Sequence, residues 1–470
     1  MSSIGSILSV ARTALLSHQA AMEVTGHNIA NAETPGYTRQ TLSLEQGPVR
    51  KMTYGIFGSG VRIATVGRAR EMLLDQDVRT QLAPAGYSST RRDALVRVEQ
   101  IFGEPSDNGL AAAFDAFWNS WSDLSAQPNN AGARAVVRQR AEALIQRFNS
   151  YANELQRMET DTRTQASTVL EQVNQLTTSI AAINKQIVPM ESGGNTANDL
   201  RDERDRLLDE LGTLVPITVI DRADGGNQVM LGGRPLVDGV FTNALELTVT
   251  IPQEIRIAGE TSPVRTMGGK LGALVELANV DIAGTRAELD ALAAALITDV
   301  NALHTTGWSP TAGVSGNWDP LLGPTGSGIS FFDADPTALS AGGIRLSAEV
   351  AADAGAIAAS ATLQATGDNA VALAIGELRD GSPSAVSGSF GGAFQRIIAT
   401  IAGAGRAAGD AATVSNTLLA QSSARRDSVT GVSTDEELMR LMRHQQAYAA
   451  AAKVVQTVDE MMETLISLKR

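Results

Sequence analysis

The stretch NIANAETPGYTRQ, Asn28 to Gln40, decides how the chain starts to fold. Thr34-Pro35-Gly36-Tyr37 fits a type II turn, in which proline presets φ at the second position and glycine accepts a positive φ at the third. Proline also drives Thr34 out of helical space, so a helix arriving from upstream has to end near Asn31. TRQTLSL then alternates and predicts an extended segment with Leu42 and Leu44 on one side. By itself the stretch is a helix stop followed by a reversal.

Upstream, Ile4, Leu8, Ala11, Leu15, His18, Met22, Thr25 and Ile29 alternate by four and three and line one side of a helix. The far end does the same through Leu441, His444, Tyr448, Ala451, Val455, Val458, Met462 and Leu465. Gly431 and STDEE mark its start, with a capping box from Ser433 to Glu436 or from Thr434 to Glu437. Burying Ile4, Leu8, Leu15, Met22 and Ile29 contributes roughly 7–15 kcal/mol at most. Ordering a helix of this length costs on the order of 1–2 kcal/mol per residue, offset in part by its own hydrogen bonds. Such a terminal helix is marginal. Its narrow stripe and small polar flanks predict ends that are mobile in a free monomer and ordered against neighbouring molecules.

Between the ends, the longest regular pattern runs from Arg134 to Val188, a rod of roughly 80 Å at 1.5 Å per residue. Its candidate partners are helices over Glu71–Ile101, Lys270–Leu303 and Phe390–Asp427. A short charged helix, NDLRDERDRLLDELGTLV, precedes Pro216, and its run Arg201–Glu210 reads as a salt-laced exposed face. Texture changes from Pro216 to about residue 267, and again over Gly307–Gly343, where Gly-Gly and Asp-Gly signals predict short strands. The two irregular regions read as one β-rich excursion. The expected fold is mainly α with a β-rich insertion: a long antiparallel helical rod, a terminal coiled coil and a small β-rich outer domain. The boundaries are 1–65 with 430–470 for the axial part, 66–215 with 268–305 and 350–429 for the bundle, and 216–267 with 306–349 for the outer domain.

The 470 residues carry a formal charge of −13 with only 4% aromatics. That charge argues against nucleic acid and against an anionic membrane surface as partners. The absence of cysteine removes disulfides, thiol nucleophiles and zinc–thiolate sites. MSSIGSILSVARTALLS lacks a basic start and has Arg12 inside its apolar part, so no cleaved leader is expected. No window reaches the ~18 apolar residues of a membrane span. His18 and His444 fall on the two terminal stripes, where a polar position that sets register is favoured over a metal ligand. No His-Glu-x-x-His pattern occurs. Asp333 and Asp335 read as a solvated loop, Gly58-Ser59-Gly60 and Gly326-Ser327-Gly328 as turns, and Trp118 and Trp121 as core. Met439, Met442, Met461 and Met462 are expected at a helix interface. No catalytic residue, metal site or cofactor is expected.

TGHNIANAETPGY resembles the N-terminal signature of bacterial flagellar rod, hook and hook-associated proteins, with Asn28, Asn31, Thr34, Pro35, Gly36 and Tyr37 on the matching positions. His27 departs from it, since asparagine is common there. Ile101–Pro128, Asn198–Leu211, Gly268–Leu277, Gly367–Leu378 and the ending from Gly431 all resemble the flagellar hook-associated protein 1 family, in one order along nearly the whole chain. The resemblance implies a ring of identical subunits joining hook to filament outside the cell. Its terminal helices would form an inner tube: Ile4, Leu8, Leu15, Met22 and Ile29 with the signature residues on one side, and Leu441, Tyr448, Val455, Val458, Met462 and Leu465 on the other. It also implies export without a cleaved signal and a chaperone segment over Asp435–Leu465. Hook protein and the second hook–filament junction protein are the implied neighbours. That second junction protein, or a secreted adhesin reusing axial-type ends, is the alternative identity.

Overall fold

A computed structural model describes every residue except 1, 53–54, 265–267, 311–317, 320–322, 325, 364, 366 and 468–470. Much of the expected second irregular region therefore lies outside the described residues. Helix α1 (Ser2–Ala30) is followed by strands β1 (Gln40–Gln46), β2 (Val49–Met52), β3 (Gly55–Gly58) and β4 (Val61–Arg68). β1 pairs antiparallel with β4, and β2 with β3, so the segment is one long hairpin with a bulge at Ser43/Leu44. Helices α2 (Met72–Phe102), α3 (Leu110–Ala126), α4 (Ala131–Glu191) and α5 (Asn198–Leu214) come next. Strands β5 (Ile217–Asp221), β6 (Asn227–Leu231), β7 (Arg234–Asp238) and β8 (Phe241–Thr242) form an antiparallel meander, with β9 (Leu245–Leu247) and β10 (Ile255–Ile257) as a separate pair. Helix α6 (Gly269–Glu276) runs through a π-helical turn, Leu277–Asp281, into α7 (Ile282–His304). The short helices α8 (Ala348–Ala352) and α9 (Ala370–Glu377) precede α10 (Phe390–Thr430) and α11 (Thr434–Ser467).

The chain is organised around α4, whose 61 residues make a rod of about 90 Å. Asn130 caps it, its side chain accepting from the backbone N–H of Gly132 at 2.8 Å and of Ala133 at 3.3 Å. The stripe from Val137 to Leu155 enters one core, and the stripe from Ala166 to Ile187 enters another. Between them α4 buries Glu159 and Thr162. Glu159 receives Arg163 at 2.9 Å and Arg286 at 3.3 Å, so a polar layer separates the two apolar ones.

The scarce aromatics are concentrated in the first core. Phe114, Phe117, Trp118 and Trp121 of α3 meet Phe148 of α4, Phe331, Phe332, and Phe390 and Phe394 of α10. Asn301 and His304 of α7 bind the backbone of 329–332 to this core. Asn301 Nδ2 donates to Phe332 O at 2.9 Å, and its Oδ1 accepts from Phe331 N and Phe332 N, each at 2.9 Å. His304 Nδ1 lies 2.7 Å from Ile329 O, and its Nε2 accepts from Ala358 N at 2.9 Å. Burial pushes the His304 imidazole down to about 4.

The second core joins the far half of α4 to α5, α6 and the β meander. Asparagines on α4 read the strand backbones here. Asn174 exchanges two hydrogen bonds with Leu245, at 2.9 and 2.8 Å. Asn184 donates to Gly239 O at 2.8 Å and to Asn227 Oδ1 at 2.9 Å.

The expected helices are present, but two packing expectations are corrected. The irregular regions do not form one excursion: strands β5 to β10 pack on the second core, whereas Phe331, Phe332 and Ile344 belong to the first. Their apolar residues are too few to make a core between themselves, so each region uses the nearest stripe of α4. Helix α10 lies mainly along α2, while α3, α5, α6 and α7 are the main partners of α4. After Phe390, Phe394, Ile397 and Ile401, α10 buries only Ala408, Ala412 and Thr430, and small side chains suit the close pairing with α2. Phe117→Ala should cost about 3–5 kcal/mol and Leu208→Ala, in the second core, about 2–5 kcal/mol, measured by urea unfolding of the full chain.

Candidate axial interface and its anchor

The two ends of the chain pair antiparallel. His18 Nδ1 lies 3.3 Å from His444 Nδ1, and Asn28 Nδ2 donates to Glu437 Oε2 at 2.9 Å. That register places Val458 roughly level with Ile4. The buried line of α1 is Ala11, Ala21, Thr25 and Asn28, with Ser17 beside it, and α11 buries Glu437 and Val458. Small residues let the two backbones approach. Of the expected stripe, Ile4, Leu15, Met22, Ile29, Leu441 and Val455 are half-buried. Leu8, Tyr448, Met462 and Leu465 are exposed, as are Leu16 (52%) and Ile466 (64%). The expectation that Met439, Met442, Met461 and Met462 lie at a helix interface is corrected: all four are exposed, because α11 turns only a narrow line toward α1.

The β1–β4 hairpin lies against α1. A Cβ on Gly60, whose φ is +104°, would sit 2.3 Å from Thr13 Oγ1, so only glycine allows this approach. At the end of α1 the chain reverses as expected: Gly36 has φ +82°, and Tyr37 N donates to Thr34 O at 3.1 Å. Asn31 closes the helix end by donating to His27 O at 3.0 Å and accepting from Thr34 Oγ1 at 3.3 Å.

Asn28 is the hub of this turn. Its Nδ2 donates to Gln40 O and to Glu437 Oε2, both at 2.9 Å. Its Oδ1 accepts from Gln40 N at 2.9 Å and from Tyr37 Oη at 2.8 Å. Both N–H donors and both acceptor positions of the amide are used. One side chain therefore joins α1, the turn, β1 and α11. Burial, then Asp199, Asp202 and Glu437, raise the Tyr37 hydroxyl above its ordinary value and keep it neutral.

Helix α5 anchors the turn to the body. Asp199, Asp202, Asp205 and Asp209 follow one another by three or four residues and so share one face. Asp199 accepts from Gln40 Nε2 at 2.8 Å, and Asp202 from Thr38 N at 2.9 Å. Arg68 of β4 bridges Asp202 and Asp205, at 2.8 Å each. Arg70 also reaches Asp205, and Arg79 of α2 joins Asp205 at 2.9 Å to Asp209 at 3.3 Å. Arg426 of α10 closes the series on Asp209 at 2.5 Å. Burial works to raise the Asp205 carboxyl, but Arg70, Arg68 and Arg79 outweigh it and hold it below the usual range.

The expected exposed charged face is thus corrected. Only Glu203, Arg206 and Glu210 behave that way; Asp202 and Arg204 are buried and Asp205 keeps 13% of its side-chain surface. The four aspartates at helical spacing were the available signal. Among the described residues, no group of three or more His, Asp or Glu side chains is placed to hold a metal. No described helix is long and apolar enough to cross a membrane.

These elements coincide with known families. Residues 8–38, α1 and the turn, match the family described as flagella basal body rod protein, and 427–468, essentially α11, match the flagellar basal body rod FlgEFG protein C-terminal family. Residues 95–317 match the flagellar hook-associated protein FlgK helical domain. Flagellar hook-associated protein 1 of Bacillus subtilis is 28% identical over 504 residues, covering 98% of this chain and 97% of that one. These matches support the flagellar hook-associated protein 1 family for this chain. Its counterpart in Salmonella typhimurium is 28% identical over 319 residues, 65% of this chain and 57% of that protein. The solved flagellar hook junction protein FlgK from Burkholderia pseudomallei shares the fold, with a TM-score of 0.63 at 16% identity, over 76% of this chain and 100% of that one.

Asp205→Ala should leave three arginines without their shared counter-charge and cost about 3–5 kcal/mol, read by urea unfolding. The His18–His444 contact adds a pH dependence. Burial, then His18, Arg443 and Arg440, depress the His444 imidazole from 6.5, against an opposing pull from Glu437. A histidine depressed on folding binds fewer protons folded than unfolded, so its contribution is present above pH ~6.5 and is lost as pH falls below it. Hydrogen exchange in α11 should accelerate between pH 7 and 5.5 after correction for intrinsic rates, and His444→Gln should flatten that change.

Proposed function

We propose that this flagellar hook-associated protein is the structural subunit joining hook to filament, assembling with copies of itself through α1 and α11. The observation that carries the reading is the antiparallel terminal pair, which buries a line of small residues and leaves larger apolar ones, Leu8, Leu16, Leu465 and Ile466 among them, in solvent. Apolar side chains at a third to two-thirds exposure on both members of a pair suit further helices packing alongside. Ile4, Leu15, Met22, Ile29, Leu441, Tyr448, Val455, Val458 and Met462 complete the proposed axial surface, while Asn28, Asn31 and Thr34 to Tyr37 fix its angle to the body. Residues 1–65 with 430–470 form the axial part in this reading.

The neighbours follow from the family: hook protein on one side and the second hook–filament junction protein on the other. Before assembly, the segment Asp435–Leu465 is the proposed contact for an export chaperone, and the mature location is the extracellular flagellum. The role is structural, with no reaction or cofactor assigned.

Leu16→Ser combined with Leu465→Ser changes only exposed side chains, so the purified protein should melt within a degree or two of wild type. In a strain lacking the native protein, it should fail to support filaments and swimming. Normal swimming with stable expression would end this reading. Limited proteolysis supplies an independent check, with both ends cleaved before the middle in the free chain.

A further inference from the structure

A cavity of about 240 Å³ lies at the start of α4, lined by Pro128, Asn129, Arg134, Trp308, Ser360 and Asp368, among others. Arg134 is only 4% exposed. Its Nε donates to Ile357 O at 3.0 Å, and among the described residues no ion pair uses it. Arg134 lines the cavity, and among the described residues its Nη1 and Nη2 have no hydrogen-bond partner. Burial lowers its ordinarily very high pKa, with no carboxylate opposing the change. A buried guanidinium without a counter-charge is costly, and the other enclosed arginines of this chain have oxygen acceptors on their terminal nitrogens. Arg204 donates through Nη1 to Asn184 Oδ1 at 3.0 Å and Gly225 O at 2.8 Å, and Arg68 has two aspartates.

The carboxylate on the cavity's rim is already committed. Asp368 Oδ2 accepts from Ser360 Oγ at 2.9 Å, Ala361 N at 2.8 Å and Thr362 N at 2.9 Å, while Oδ1 accepts from Ala370 N at 3.0 Å. The positive end of the α4 dipole adds to the field around Arg134. We propose that this cavity is a binding site for a carboxylate group, held in the fork of Arg134 Nη1 and Nη2, with Trp308 packing on the carbon chain that bears it. Arginine offers two parallel donors to a planar carboxylate. The nearby Asp368 charge disfavours a phosphate dianion in the same space. The carboxylate comes either from a free organic acid or from an acidic side chain of a neighbouring protein, and one pair of probes separates them.

The full chain would be titrated at constant ionic strength, against chloride, with acetate, with N-acetylglutamate methylamide and with inorganic phosphate. Tryptophan emission and melting temperature are the two readouts. Saturable change with acetate and the glutamate mimic, weakened at least tenfold in Arg134→Gln, is the expected result. Tighter binding of the mimic than of acetate assigns the site to a protein side chain, and the reverse order assigns it to a free acid. Trp308→Phe should remove the emission change while keeping the thermal one. Because Arg134 loses only one hydrogen bond, to Ile357 O, and no ion pair in the empty protein, Arg134→Met should melt within a few degrees of wild type. No saturable response, an equal response in Arg134→Gln, or stronger binding of phosphate than of either carboxylate would overturn the proposal. A large loss of melting temperature in Arg134→Met would do so too, since it would make Arg134 a structural residue.

Discussion

Four aspartates on one face of α5, answered by arginines from β4, α2 and α10 and the stretch just beyond β4, fix how the ends of this chain meet its body. An aspartate as enclosed as Asp205 pays for its desolvation only when several donors converge on it, and here three arginines do. Arg68 and Arg70, two residues apart, both reach Oδ2 of Asp205, and Arg79 reaches Oδ1. Arg68 and Arg70 hold the hairpin strand and its exit, Arg79 the start of the α2 rod, and Arg426 the last turns of α10. The apolar face of the same helix, Leu207, Leu208 and Leu211, enters the second core. Helix α5 thereby transmits the orientation of the core to the turn at Thr34–Tyr37.

That dependence explains what could be read from the sequence and what could not. Apolar spacing alone locates α1, α4, α10 and α11 to within a few residues, because a 3.6-residue period is a property of one segment. The turn at Pro35-Gly36 is equally local. The role of Asp202 and Asp205 is not local, since an acidic helix face looks the same whether water or distant arginines lie opposite it. Placing α10 against α2 has the same difficulty: small residues at Ala408 and Ala412 suit any close helix pair. The two irregular regions share a Gly- and Pro-rich texture but not a location, and texture carries no information about which stretch of α4 supplies the core. At the axial interface, the stripe was legible to within half a step. His18, Ala11 and Thr25 lie on the seam, while Leu8 turns outward, and Asn28 emerges as a hub only once Glu437 is beside it.

The rod itself is divided. Aromatic residues gather in one core and aliphatic ones in the other, with Glu159, Thr162, Arg163 and Arg286 between them at the level of the π-helical turn. Asn279 within that turn exchanges hydrogen bonds with the backbone of Gln253, at 2.8 and 3.0 Å, and accepts from Arg163 at 3.2 Å. An extra residue in a helical turn re-aims the side chains that follow. The buried line of α4 keeps one three-and-four spacing from Val137 to Ile187, and a single helical path, α6 through α7, runs along both of its cores.

Closing the chain's ends on each other follows from the same hierarchy. Asn28 and Glu437 are 409 residues apart in sequence, and bringing such distant points together from an open chain carries a large entropic cost. The body removes most of that cost beforehand. Arg426 is already fastened to Asp209, and Arg39 N donates to Thr430 O at 2.9 Å. The start of α11 and the end of α1 are therefore held within a few ångströms of each other by contacts outside their own seam. What remains for the pair is a seam of small side chains and one histidine contact, a modest free energy spread over two long helices. Local stability should consequently fall along α1 and α11 away from Asn28, leaving their distal turns the least committed part of the molecule and the part with most apolar surface still to bury.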